Sequence, residues 1–297
     1  MNQIHSKSSI LVKKYKSTYT PYLNIKNRIF LMDFSFGITT AGNNDSMIQT
    51  IIDSIRSQNI PNYEILIIGQ SDLAGADIKQ IPFNESTRDA WITRKKNIVA
   101  QEAKYDNLVL LHDYVMLEPG WYEGFLKYGN SFIFCSTKVH NIDGSRYIDY
   151  AFHPFYVTCI DPRFEHGCLL PYSMKVPDPA NRLLYISGSY YIIKRQIALA
   201  LPLDEGKTWG QGEDLDLSFA LTSLGIPIQC NAFSSVKFLK NKRNDTSPWI
   251  EEIKDESLLE RIKNITHQDS VAWLHSSYAG LFNTYTLFKR LKQQNLV

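Results

Sequence analysis

The stretch from Phe34 to Gly69 constrains this chain more than any other. Phe34-Ser-Phe-Gly-Ile-Thr-Thr40 reads as a strand ending in small polar residues, and Ala41 to Asp45 reads as a loop. Ser46 is placed to cap a helix in which Met47, Ile48, Ile51, Ile52 and Ile55 share one face. Pro61-Asn62 breaks that helix. Glu64-Ile-Leu-Ile-Ile-Gly69 is then almost continuously apolar, as expected of a strand covered on both faces of a parallel sheet. Strand, helix and strand at this spacing make a βαβ unit. Ligands of such sheets bind beyond the carboxyl ends of the strands. Thr39, Thr40 and the loop Gly69-Gln-Ser-Asp72 therefore form a candidate nucleotide site. The chain has neither GxGxxG nor a GxxxxGK-type phosphate loop, which argues against a dinucleotide fold and a P-loop enzyme.

The next unit repeats the pattern. Ile92 to Ala103 is helical and carries Lys95, Lys96 and Asn97. On spacing alone, Lys95-Lys96 fits a solvated helix face and a ligand-facing one equally well. Asn107-Leu-Val-Leu-Leu111 is a second buried strand, and it runs into His112-Asp113-Tyr114. Polar residues at that end of a central strand point into the ligand crevice. Pro119-Gly120 opens a short helix with Trp121-Tyr122.

A third motif is acidic. Trp209-Gly-Gln-Gly212 leads straight into Glu213 and Asp214, followed by Leu215, Leu217, Phe219, Leu221 and Leu224 at helical spacing and closed by Gly225. A carboxylate at such a helix mouth can take a proton from a hydroxyl. The same acids also suit a first helical turn for purely structural reasons.

Composition sets the limits. The chain has 297 residues, 44% hydrophobic and 21% charged, enough for a sizeable core. A net charge of +2 gives no nucleic-acid footprint. The four cysteines, Cys135, Cys159, Cys168 and Cys230, lack paired metal spacing, which suits a reduced, cytosolic chain. The sequence shows no apolar signal core and no run of membrane-spanning length.

Taken in order, the four segments Phe34–Gly69, Leu108–Phe125, Tyr185–Arg195 and Trp209–Gly225 resemble a glycosyltransferase of the GT-A fold, in the inverting family 2 group. They resemble, in turn, that family's opening unit, its metal-binding tripeptide strand, the strand lining its acceptor site and its Glu-Asp helix. The resemblance runs from about Phe34 to Phe233. It implies an α/β fold, Rossmann-like, with a mostly parallel sheet, helices on both faces and C-terminal helices. The implied domains are a basic arm over 1–28, a GT-A domain over 29–239 and a helical extension over 240–297. Within the GT-A domain, 29–130 would be the nucleotide-sugar half and 131–239 the acceptor half.

The resemblance implies transfer of a sugar from a nucleotide donor, UDP-linked in most of the family, to an acceptor hydroxyl. Asp214 would be the base, with Glu213 beside it. Thr39, Thr40, Asp72, Lys96, Asn97, His112, Asp113 and Tyr114 would contact the donor. Gly188, Ser189, Trp209 and Gly212 would line the acceptor. Trp209, Trp121, Tyr190 and Tyr191 are the candidate aromatic faces for sugars; most aromatics at such positions are core, so one or two of them are expected to touch ligand. A divalent cation, Mn2+ or Mg2+, would sit on Asp113. Two departures stand out. Gly69-Gln70 replaces the acid that ends the second strand, so base recognition either passes to Asp72 or is made differently. Tyr114 replaces the last acid of the tripeptide, and Lys237 stands near where a downstream His is expected. His275 is the alternative metal ligand.

Arg146, His153 and Arg163 are candidate anion contacts on the acceptor side. Lys240 to Asp245 reads as a polar linker, and Trp249–Asn264 and Ser270–Lys292 as helices. The last helix is amphipathic; it suits packing on the domain, with peripheral membrane contact or a homodimer as the second option. The expected setting is the cytoplasm, at the inner face of the membrane, in polysaccharide or glycoconjugate synthesis with a glycan or glycolipid acceptor. The rival reading is a silent nucleotide-sugar or glycan-binding module on the same fold.

Overall fold

In a computed structural model, the described residues are 31–152, 167–174, 183–242, 251–252, 254 and 256–264. The expected basic arm, the segment with His153 and Arg163, His275 and the helix over 270–292 lie outside them.

Strand β1 (Phe34–Thr39) is buried along its whole length, as its apolar run requires. Helix α1 (Asp45–Arg56) follows it, two residues earlier than the Ser46 cap implied, with Asn44 at the capping position. Strand β2 (Tyr63–Ile68) then lies parallel to β1 in register. An edge strand, β3 (Ile78–Ile81), pairs parallel to β2. Helix α2 (Ile92–Glu102) leads to β4 (Asn107–His112), which pairs parallel to the other side of β1. Both βαβ units are therefore present.

After β5 (Val115–Leu117) and α3 (Trp121–Tyr128) the sheet becomes mixed. Strand β6 (Phe134–His140) and the later β10 (Tyr190–Lys194) and β11 (Ile228–Phe238) extend it. β10 runs antiparallel to both β4 and β6, β11 parallel to β6, and β5 antiparallel to β11. The order is β3-β2-β1-β4-β10-β6-β11-β5.

Alternate residues of each central strand serve opposite faces, because side chains alternate along a strand. Phe34, Phe36, Ile65, Ile67, Val109 and Tyr190 join α1 and α3 in one core. Leu66, Ile68, Leu108, Leu110 and Tyr191 join Val99 of α2 and residues of α4 (Arg195–Ala200) and α5 (Glu213–Ser223) in the other. This is the expected GT-A architecture, α/β with helices on both faces.

A small second sheet collects β7 (Ala151–Phe152), β8 (Cys168–Leu169), β9 (Leu184–Tyr185) and β12 (Glu251–Glu252), in the order β12-β8-β7-β9. The helix expected from Trp249 begins only after β12, as α6 (Glu256–Lys263). Its Leu258 and Ile262 are fully buried in the second core.

Three of the four candidate sugar-facing aromatics are core. Trp121 is fully buried against Phe34 and Phe125, and its indole N–H donates to Tyr190 Oη at 2.9 Å. Tyr190 and Tyr191 are buried on opposite faces of β10. Their area is worth more in the core than at a wet rim. Arg146 is likewise structural: its guanidinium pairs with the buried Asp149 at 2.8 Å and stacks on Tyr172.

Candidate functional site

The parallel strands β1 and β4 end side by side, at the carboxyl edge where ligands of such sheets bind. Thr39 Oγ1 donates to Leu111 O at 3.2 Å and ties the two strand ends together. Thr40 is buried; its hydroxyl donates to Asp113 Oδ2 at 2.7 Å, and its carbonyl accepts from Lys95 Nζ at 2.7 Å. Asn44 Nδ2 gives the same Asp113 oxygen a second bond at 2.6 Å. The two threonines thus position Asp113 and the strand ends. Asp72 is exposed on the loop after β2, with its backbone N–H donating to Asp45 Oδ2 at 3.0 Å.

The acidic helix mouth lies across the crevice. Gly212, at φ 73, turns the chain into α5 in the left-handed region where glycine is favoured, so Glu213 and Asp214 open the helix. Glu213 is buried and paired with Lys96 Nζ at 3.3 Å. Asp214 is half-buried, and its two oxygens accept from the backbone N–H groups of Gly188 at 2.7 Å and Leu215 at 2.9 Å. Burial, then the neighbouring Glu213 charge, pushes its carboxyl up to about 6; the amide bonds and Lys96 oppose the shift. Asp214 is therefore a carboxylate poised to take up a proton near neutral pH.

A short turn joins the two halves. Gly188 donates to Asp214 and accepts from Lys96 Nζ at 2.9 Å, while the next carbonyl, Ser189 O, accepts from His112 N–H at 3.1 Å. Tyr114 Oη donates to Ser189 Oγ at 3.3 Å and lies 3.0 Å from His112 Nδ1. A Cβ on Gly188 would stand 2.8 Å from Glu213 Oε1, so only glycine fits between the ion pair and the base. The turn thus bonds Asp214 and the backbone of His112, the residue before Asp113.

Lys95 and Lys96 are buried on protein partners and do not form a solvated face. Lys95 also pairs with Glu85. Asn97, expected to face the donor, instead bonds Leu203 O and N and Glu205 Oε1, fixing the segment before the glycine loop. Trp209 is 58% exposed on that loop and is the one candidate aromatic that keeps an open face.

Lys237 is not at the crevice. It lies in register with Met116 and His140, and its charge bears on Glu118. Two other lysines are. Lys240 Nζ sits 3.9 Å from the centre of the Tyr114 ring; Lys242 Nζ sits 5.7 Å from that ring and 5.7 Å from the Trp209 ring. Burial, then Lys96, Lys242, Lys240 and Lys95, push the His112 imidazole well below its usual range, so it is neutral. Its Nε2 is buried without a hydrogen-bond partner. Sequence reasoning assigned Lys240 to a linker. The signal was its place directly after a strand end, the same rule that found Asp113.

The donor set does not suit a protein-held divalent ion. Asp113 Oδ2 already accepts two bonds, the next side chain is the tyrosine Tyr114, and Lys240 and Lys242 stand at its ring. Among the described residues no three His, Cys, Asp or Glu side chains gather to hold a metal.

No family model matches the sequence, and no curated protein matches it either. Solved structures do match in fold. GalNAc-T7, crystallised with UDP, GalNAc and Mn2+, aligns at TM-score 0.52 and 14% identity over 89% of this chain and 55% of its own. This chain thus spans about half the length of that protein. S. aureus TarS aligns at TM-score 0.45 and 10% identity, over 86% of this chain and 45% of its own. The first likeness is one of fold, and the fold is that of GT-A glycosyltransferases.

Proposed function

We propose that this chain is a nucleotide-sugar glycosyltransferase that moves a sugar from a nucleotide donor to an acceptor hydroxyl with inversion. What carries the reading is the convergence, through Gly188-Ser189, of a strand-end carboxylate and a basic helix-mouth carboxylate on a GT-A sheet. Thr39, Thr40, Asp72, Lys96, His112, Asp113 and Tyr114 shape the donor side, and Asp72 is the side chain left to read the base. Gly188, Ser189, Gly212 and exposed Trp209 shape the acceptor side. UDP is the donor nucleotide that the GalNAc-T7 complex suggests. The halves 29–130 and 131–239 act as donor and acceptor halves, with 240–297 as an extension.

In the reaction, Asp214 accepts the proton of the acceptor hydroxyl as that oxygen attacks the anomeric carbon. The bond from that carbon to the diphosphate oxygen breaks on the opposite face, and the electron pair leaves with the nucleotide. Inversion follows from this single displacement. No step is routed through a metal, since the residues at Asp113 do not fit one. The acceptor is a glycan or glycolipid in polysaccharide or glycoconjugate synthesis, met in the cytoplasm at the inner face of the membrane.

The rate should report the base. Asp214 works only when ionised, so kcat should fall about tenfold per pH unit as the pH drops below about 6. In Glu213→Gln, loss of the neighbouring negative charge should move that limb to lower pH. A limb that stays near 6 in this variant would detach it from Asp214.

The reading as a whole is tested by thermal shift with a panel of nucleotide sugars, because a bound donor stabilises the native state by mass action. One donor raising Tm more than its free sugar supports the reading. A flat response to every nucleotide sugar, with the chain folded, defeats it.

A further inference from the structure

We propose that Lys240 and Lys242, on the segment leaving β11, bind the donor's diphosphate and stabilise it as it departs, in place of a metal ion. The inference rests on the crevice being a donor site. When the anomeric C–O bond breaks, its electron pair stays on the phosphate oxygen and the acceptor's proton goes to Asp214. The departing diphosphate thus gains one negative charge, which a fixed cation must meet.

Three observations put that cation on lysine. Tyr114, which replaces the ligating acid, holds its ring under Lys240 Nζ at 3.9 Å and near Lys242 Nζ at 5.7 Å. The residue that removes a metal ligand is thus the platform for two ammonium groups. Their total charge equals that of one divalent ion. Next, Lys242 is only 7% exposed, yet it lies between Tyr114 of the donor side and Trp209 of the acceptor side, where the scissile bond would sit. Last, Tyr114 directly follows Asp113 and its hydroxyl lies 3.0 Å from His112 Nδ1, so the two lysines at its ring stand at the end of β4.

His112 Nε2 is buried without a hydrogen-bond partner. Tyr114 Oη donates to Ser189 Oγ, so His112 Nδ1–H donates to Tyr114 and Nε2 is left to accept from a hydroxyl of the donor.

The test is calorimetry with UDP, GDP, CDP, dTDP and ADP, each in EDTA and again with Mn2+ or Mg2+. The wild-type chain should bind one of them in EDTA, and metal should change its affinity by less than about threefold. The double variant Lys240→Gln/Lys242→Gln should weaken that nucleotide by more than about tenfold and its nucleoside by less than about twofold. Lys240→Arg/Lys242→Arg should regain most of the loss, since guanidinium also binds phosphate. The exposed Lys240 allows Lys240→Gln alone as a variant that leaves the core untouched; it should cost at least about threefold. Binding that appears only with metal, or that the glutamine variants leave unchanged, overturns the proposal. Failure of the wild type to bind any nucleotide in either condition overturns the donor reading itself, and is distinguished by the absence of a metal effect.

Discussion

Asp214→Asn lowers turnover by about a hundredfold or more while donor affinity stays within about twofold. The amide keeps the shape of the carboxylate, and its single oxygen can accept from either the Gly188 or the Leu215 backbone N–H, the two bonds that the two Asp214 oxygens now share. What it loses is basicity. Glu213 cannot take over, because its carboxylate is buried against Lys96. The variant also loses the acid limb near pH 6. Steady-state kinetics beside calorimetry of the bound nucleotide checks both halves. Unchanged turnover would remove Asp214 from the chemistry.

Lys96→Met costs about 3–5 kcal/mol of stability, because it leaves Glu213 as a buried charge without its partner. The side chains of the pair are 2% and 6% exposed, so water does not screen the loss. The Gly188 carbonyl loses its Lys96 bond as well. Adding Glu213→Gln removes the orphaned charge, and Lys96→Met/Glu213→Gln should recover most of the loss, as coupled neighbours do. Urea unfolding of the single and double variants measures this. A double variant as unstable as the sum of its singles would show that the pair is not coupled.

The parts of this molecule that were legible in its sequence are the local ones. β1, α1, β2 and β4 follow from apolar periodicity within a few residues, and α5 begins at Glu213 because Gly212 turns the chain there. β3 was not legible: Ile78-Lys-Gln-Ile81 is an edge strand with only half-buried isoleucines, and its pairing to β2 is what defines it. The ion pairs were equally hidden. Lys95-Lys96 has the pattern of a solvated face, and only Thr40, Glu85, Gly188 and Glu213, which lie far off in sequence, turn it inward. The same holds for Trp121, Tyr190 and Tyr191, whose composition fits a sugar platform but whose neighbours are core. Lys237 stands near where the resemblance expects a downstream His. The alternation of side chains sends it toward Glu118, and the charge at the crevice comes from Lys240 and Lys242 beyond the strand end.

The central claim is that the Asp113 and Asp214 sides of this crevice act on one nucleotide sugar. Release of nucleoside diphosphate from a panel of nucleotide sugars, followed for the purified chain with and without candidate glycan acceptors, tests it most directly. The account predicts release from one donor, faster with an acceptor, and reduced about a hundredfold in Asp214→Asn. Release that is equal in the wild type and Asp214→Asn, or absent with every donor under conditions where one of them binds, would contradict it.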